Sequence, residues 1–313
     1  MPTFVTGATG FLGRHLVPLL VERGDDVRAL VRVETDDSWL RELGVEVVRG
    51  ALLDADAVRQ AAAGCELVFH AAGLVAHERG DAHRLAAVNV NGVRTILTAV
   101  DRRARLVHVA SYATIGPARS REERAHEDQP YPEEAAHLPY VASKRAGERL
   151  VLDAVAAGMD AVVANPGFLL GPDDPYRVST WPVYRYLQGT LRVHTEGGLS
   201  VADARDVAAG LLQLAERGRT GERYILTAGE GNFAWPDFFA RVAAVTGVRR
   251  RMLGLPPPVV RAASRLVPWP VKPGEIEAAT FWWFATAAKA ERELAFQPRP
   301  VDETIADTAS QYS

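Results

Sequence analysis

The chain has 313 residues, of which 48% are hydrophobic and 24% charged, with a formal net charge of -3. That is enough chain for one large domain or two interleaved ones, and the composition excludes a disordered protein. The small net charge gives no electrostatic case for a nucleic-acid partner, and the run Arg249-Arg250-Arg251 reads as solvated surface.

The single cysteine, Cys65, excludes an intrachain disulfide. It follows Gly64 and precedes Leu67-Val68-Phe69, so it reads as a small packing residue rather than a reactive thiol. No His/Cys spacing suggests a metal site. No run of about 18 apolar residues suggests a membrane span. Met1 leads directly into Thr3-Phe4-Val5 with no basic-then-apolar leader pattern. The expectation is a cytoplasmic, metal-free protein with a small-molecule substrate.

Phe4-Val5 is a short first strand. Residues 11–23 read as a helix with Leu12, Leu16, Leu19 and Leu20 on one face, stopped by Gly24. Strands follow at 27–31 and 45–48, then a helix over 55–63 and a fourth strand over 67–70. A long helical pattern covers 85–102, a fifth strand 106–110, a second long helix 140–157 and a sixth strand 161–164. Such alternation predicts an α/β fold, a doubly wound parallel sheet of Rossmann type. Residues 173–198 show weak periodicity. A helix over 204–215 and a strand over 223–227 follow. From Pro236 helices dominate, broken at Pro256-Pro257-Pro258 and Pro268-Trp269-Pro270. The expected organisation is a dinucleotide-binding domain over 1–172, rejoined by 201–228. A smaller, mainly helical substrate-binding lobe takes 173–200 and 229–313.

Gly7-Ala8-Thr9-Gly10-Phe11-Leu12-Gly13 joins the first strand to the first helix. Its spacing is G-x-x-G-x-x-G rather than G-x-G-x-x-G, but the mechanics are the same. Glycines permit the tight turn, backbone N–H groups approach phosphate oxygens, and the helix N-terminus adds partial positive charge. Position at the first strand–helix turn favours a dinucleotide pyrophosphate over a glycine turn without ligand. The second strand ends Val31-Arg32-Val33-Glu34. A carboxylate at that tip would bind the ribose 2′-OH of NAD, and an Arg would accommodate the 2′-phosphate of NADP. Arg32 holds the tip, so NADP(H) is the preferred cofactor. NAD(H) stays open through Glu34 or Asp36 folding back to the ribose.

Tyr140 and Lys144 stand at i and i+4, on one side of a helix. A phenol is a poor base at neutral pH, and a nearby ammonium would lower its pKa. The phenol can then exchange a proton with a carbonyl or alcohol oxygen while a nicotinamide carries the hydride. Ser111 ends the fifth strand, at the edge where parallel sheets bind ligands. There it reads either as a turn former or as a hydrogen-bond donor to the reacting oxygen.

With these residues placed, the chain resembles the extended short-chain dehydrogenase/reductase family, also called the NAD-dependent epimerase/dehydratase family, over most of its length. His70-Ala71-Ala72-Gly73 resembles the family's cofactor-lining motif, Asn89 its helix Asn, and Ser111 its catalytic Ser/Thr. Asn165-Pro166-Gly167-Phe168-Leu169-Leu170-Gly171-Pro172 resembles the segment bordering the nicotinamide. The resemblance implies Ser111, Tyr140 and Lys144 as catalytic residues. It implies cofactor contacts from Gly7, Gly10, Phe11, Leu12, Gly13, Arg32, Leu52, Ala71, Ala72, Gly73, Val109, Tyr140, Lys144, Pro166 and Phe168. The helices at 85–102 and 140–157 resemble those that pair in the family's dimers, which leaves a homodimer open.

The departures from the family pattern narrow the chemistry. Gly50-Ala51-Leu52 lacks the Asp that family members commonly place near adenine. Tyr112-Ala113 follows Ser111 where sugar-nucleotide dehydratases carry Asp-Glu. Phe168 stands where sugar-nucleotide enzymes often have an Asn for the diphosphate. The chain therefore looks nearest to dihydroflavonol-reductase and 3β-hydroxysteroid-dehydrogenase relatives. The expected function is an NADP(H)-dependent carbonyl reductase or alcohol dehydrogenase on a medium-sized, partly apolar substrate, walled by Phe168, Tyr176, Trp181, Tyr184 and Tyr186. The alternatives are a sugar or nucleotide-sugar epimerase with tightly held cofactor, and a non-catalytic cofactor sensor.

Overall fold

The computed structural model describes residues 1–266 and 271–312. The strands in chain order are β1 (Pro2–Thr6), β2 (Asp26–Val31), β3 (Glu46–Arg49), β4 (Leu67–His70), β5 (Arg105–Val109), β6 (Ala161–Pro166), β7 (Phe168–Leu170), β8 (Val193–His194), β9 (Gly198–Asp203), β10 (Arg223–Leu226), β11 (Asn232–Ala234) and β12 (Leu253–Gly254). The helices are α1 (Phe11–Glu22), α2 (Ser38–Glu42), α3 (Ala55–Ala62), α4 (Ala82–Ala86), α5 (Gly92–Ala99), α6 (Pro139–Ala156), α7 (Trp181–Leu187), α8 (Ala204–Arg217), α9 (Trp235–Thr246), α10 (Pro257–Leu266), α11 (Pro273–Ala279), α12 (Ala288–Leu294) and α13 (Val301–Ser310).

Seven strands form one sheet in the order β10-β6-β5-β4-β1-β2-β3, every neighbouring pair parallel. The doubly wound Rossmann arrangement is thus present. Its order reverses between β1 and β4, and ligands of such sheets bind there, beyond the carboxyl ends of the strands. A fully parallel sheet must be covered on both faces. On one face Leu12, Leu16, Val17 and Leu20 of α1 and Val207, Leu211 and Leu214 of α8 pack on Val5, Val31 and Val107. On the other, Val58 of α3, Val93 and Ile96 of α5 and Val151 of α6 cover Phe4, Val68, Leu106 and Val163.

A third core gathers Leu199 and Val201 of β9 with Tyr186 of α7, Phe238, Phe239 and Val242 of α9 and Ile305 of α13. Its framework is a small sheet, β9 paired parallel to β7 and antiparallel to β11. Periodicity does not announce this sheet, because β9 is buried at every residue and shows no alternation.

Three expectations shift. The single helix over 85–102 is α4 and α5 separated by a π-turn at Ala87–Asn91. Residues 173–198, read as irregular, contain α7 and β8. The prolines at 256–258 begin α10, where a missing N–H costs nothing; Pro268-Trp269-Pro270 lies outside the described residues. Cys65 is buried, and burial raises its thiol pKa, as suits a packing residue. No described helix is long and apolar enough to cross a membrane.

Leu16 is fully buried between α1 and the sheet. We expect Leu16→Ala to cost about 2–5 kcal/mol of stability, seen as a lower urea midpoint at unchanged slope.

Candidate active site

The glycine loop leaves β1 and enters α1 at the β1/β4 switch point. Gly7 has φ 77°, and a Cβ there would lie 2.7 Å from the Ala71 carbonyl carbon and the Ala72 nitrogen. A Cβ on Gly13 would collide with the carbonyl oxygens of Gly7 and Ala8. The glycines thus let the loop lie directly against the Ala71-Ala72-Gly73 segment after β4. Gly10 caps α1 without a side-chain hydrogen bond, and the first turn, with Phe11 and Leu12, holds no acidic residue. The positive end of a 12-residue helix is therefore left uncompensated by the protein, which is a fit for a pyrophosphate.

Arg32 follows β2 directly, with 64% of its side chain exposed and Glu34 only 3.7 Å away. Arg49 fixes the backbone of this loop by donating to the carbonyls of Arg32 and Thr35 at 2.8 Å each. Asp36 accepts from the Ser38 amide at 3.0 Å, so its carboxylate is engaged at the start of α2. Leu52 is half-buried and would abut any side chain at position 92.

At the other end of the crevice, β5 delivers Val109 and Ser111, and α6 delivers Tyr140 and Lys144. Pro139 at the first turn of α6 presets the helix start. Lys144 Nζ donates to the Val109 carbonyl at 2.8 Å. Burial pulls the ammonium's pKa down to about 8, opposed by the negative charge of Glu148. Tyr140 is raised above the ordinary phenol range by burial, with a Ser111 hydrogen bond opposing. The Tyr/Lys spacing predicts that the ammonium lowers this phenol; here burial is the larger influence and Ser111 the one that opposes it. Ser111 takes the turn-forming role expected of it, since its Oγ accepts from the Ala113 amide at 3.2 Å and caps the following turn.

The π-turn explains Asn89. Its side chain is buried and closes a two-way bond with Leu74, accepting from the amide at 2.8 Å and donating to the carbonyl at 2.9 Å. It also donates to Ser143 Oγ at 3.0 Å, and Ser143 donates to the Tyr140 carbonyl at 2.8 Å. Asn89 thereby ties the loop after β4 to the start of α6.

Behind Ser111 lies a second buried network that motif reading misses. Asn165 Nδ2 lies 3.1 Å from the Ser111 carbonyl and 2.8 Å from both Thr114 Oγ1 and Glu148 Oε2. Arg223 of β10 pairs with Glu148 at 3.4 Å. A signal exists for Glu148, which stands four residues beyond Lys144 on the same helical face. Asn165 opens the family-like segment at 165–172, which does not announce this contact, and Thr114 carries no signal.

A cavity of about 270 Å³ opens onto Ser111 and Tyr140. Pro166 and Phe168 line it where β6 ends, with Val141, Leu138, Trp181, Leu199, Trp235, Phe239 and Trp283 among its walls. Of the five aromatics expected there, Phe168 and Trp181 are in place. Tyr186 is instead stacked on Phe239 in the third core, Tyr184 packs on Tyr312, and Tyr176 is exposed. Tyr184 and Tyr186 point away because α7, which periodicity does not reveal, turns them onto its other faces. His77, which no motif signals, joins the wall beside Tyr140. Among the described residues no Arg or Lys lines the cavity.

Comparison with known proteins agrees with this architecture. The chain is 36% identical over 252 residues to a Synechocystis sp. protein named as a dihydroflavonol 4-reductase, covering 78% of this chain and 72% of that one. It is 34% identical to the 4-hydroxy-2-methyl-3-oxo-4-farnesyl-3,4-dihydroquinoline-1-oxide ketoreductase of Stigmatella aurantiaca, covering 85% and 79%. The crystal structure of gox2253 superposes with a TM-score of 0.87 at 28% identity, covering 99% and 97%. The UDP-glucose 4-epimerase of Thermus thermophilus, solved with NAD, shares the fold at a TM-score of 0.78 and 23% identity, covering 100% and 99%. The family model described as NAD dependent epimerase/dehydratase matches residues 3–227, and the chain belongs to that family.

Proposed function

We propose that this protein is an NADP(H)-preferring carbonyl reductase, working reversibly as an alcohol dehydrogenase on a medium-sized, largely apolar substrate. The observation that carries the proposal is the cavity. It is walled mainly by apolar and aromatic side chains, with Ser179, His194, Thr195 and Glu275 among its polar members, ends on Ser111 and Tyr140, and among the described residues offers no Arg or Lys to a substrate diphosphate. That lining also argues against the nucleotide-sugar alternative, whose substrate would enter with uncompensated charge. The named ketoreductase relative supports the same reading.

A bound nicotinamide would supply or accept the hydride at the substrate carbon. The protein's part follows from its own groups. Gly7, Gly10 and Gly13, with the amides of Phe11 and Leu12, would cradle the pyrophosphate, and Arg32 would meet the 2′-phosphate. Leu52, the Ala71-Ala72-Gly73 segment, Val109, Pro166 and Phe168 would hold the rest of the cofactor. Lys144 has three donors, of which Val109 takes one, leaving two for the cofactor ribose. Tyr140 gives its proton to the carbonyl oxygen as negative charge develops there, and Ser111 hydrogen-bonds the same oxygen. The lobe formed by 173–200 and 229–313 supplies most of the substrate wall.

Three measurements test this reading. Tyr140→Phe lowers kcat for ketone reduction, followed at 340 nm, by about 10²–10⁴-fold while NADPH binding by fluorescence persists; a fully active variant would overturn it. Arg32→Ala removes a charge-assisted contact worth about 1.5–3 kcal/mol, so KM for NADPH rises about 10–100-fold and that for NADH stays nearly level. Reductive kcat/KM for the cofactor, which reports the free enzyme, declines as pH rises through about 8, because Lys144 is charged below its pKa and neutral above it. A limb near the ordinary lysine value would show that burial does not govern this group.

A further inference from the structure

The imidazole of His77 sits in the cavity wall with its ring centroid 5.7 Å from that of Tyr140, the planes tilted by 55°. Its loop is anchored from the far side. The Gly274 amide donates to Glu78 Oε1 at 3.0 Å, and position 274 packs so closely on the His77 carbonyl that only glycine fits. Burial holds the imidazole below its ordinary pKa; Glu78 and Asp81 oppose this, and Lys272 adds to it. Neither ring nitrogen has a hydrogen-bond partner among the described residues. A neutral imidazole carries one donor and one acceptor.

The same cavity is lined by Val75, Leu138 and Val141, and its polar members include Ser179, His194, Thr195 and Glu275. An apolar ketone would therefore cover the imidazole without satisfying it, at a cost in affinity. With its ring centroid 5.7 Å from that of Tyr140, the imidazole would lie beside a molecule whose carbonyl oxygen meets Tyr140 and Ser111. We infer that His77 is a specificity-determining residue, and that the substrate class is ketones bearing a second oxygen, hydroxyl or carbonyl, on the first or second carbon from the reacting carbonyl. This inference rests on the carbonyl-reductase reading of the same site.

The test compares 2-decanone with 1-hydroxy-2-decanone and 4-hydroxy-2-decanone, using NADPH and the full chain. The unmodified protein should prefer at least one hydroxyketone. In His77→Phe that preference, as a ratio of kcat/KM values, should fall about tenfold, the worth of one well-made hydrogen bond. His77→Gln keeps a donor and an acceptor and should retain most of the ratio, which a merely structural loss would not allow. An unchanged ratio in His77→Phe, or equal loss on plain and hydroxylated ketones, overturns the inference while leaving the reductase reading intact. If the unmodified protein reduces none of the three, the reductase reading fails and this one with it.

Discussion

Lys144 carries a positive charge at a position almost wholly removed from water. A buried ammonium is costly unless it is hydrogen-bonded and its charge answered. The Val109 carbonyl provides the bond, and Glu148, one helical turn on, provides the opposing field. Glu148 is itself buried, so it needs Asn165 from β6, Thr114 from the turn after β5, and Arg223 from β10. Arg223 is tied in turn, since Lys289 of α12 donates to its carbonyl at 2.9 Å and pairs with Glu222 at 2.6 Å. One charge at the cofactor crevice thus draws in the edge strand β10 and helix α12, which approach no ligand themselves. Breaking one link of such a buried set leaves a charge unanswered, at about 3–5 kcal/mol.

The same charge constrains the sheet beneath it. His70 and His108 are register partners on β4 and β5, with ring centroids 5.3 Å apart. Burial and then Lys144 push His70 down to about 3, and burial, His70 and Lys144 push His108 well below its ordinary value. Burial is the larger cause at both, and the two imidazoles are neutral beside the Lys144 cation. Thr6 completes the arrangement, its hydroxyl 2.7 Å from His70 Nδ1, at the base of the glycine loop. The phosphate end and the reacting end of the crevice are joined through this β1–β4–β5 floor rather than through solvent.

What is legible in the sequence follows regular periods. The parallel sheet, α1 and α6 are readable because apolar residues recur at 2 or 3.6 residues, and Gly7 to Gly13, Tyr140 and Lys144 because their spacing has a mechanical meaning. The rest escapes for identifiable reasons. The π-turn at Ala87–Asn91 adds a residue to a helical turn without altering the apolar pattern, so no period records it. β9 is buried at every residue, as β4 and β6 are, but it follows an irregular stretch rather than taking its place in a strand–helix alternation, so nothing marks it as a strand. Tyr184 and Tyr186 can be placed only by composition, and composition does not say which face of a helix a ring occupies. His77 and Asn165 gain their settings only from contacts with segments remote in sequence, such as Gly274 and Glu148.

The two ionisable groups at the reacting end set a direction for the chemistry. Reduction needs a phenol that still holds its proton beside a charged lysine; oxidation needs the phenolate beside that same charge. Burial raises the Tyr140 phenol and lowers Lys144 to about 8, so the two requirements of oxidation pull apart as pH rises. Near neutrality both requirements of reduction are met at once. The largely apolar cavity would act in the same sense, since a neutral ketone would enter it at little desolvation cost and negative charge would develop only beside Tyr140 and Ser111. If the site is the carbonyl reductase proposed above, these shifts suit it to reduction near neutrality, and the same burial that makes Lys144 costly to house is their main cause.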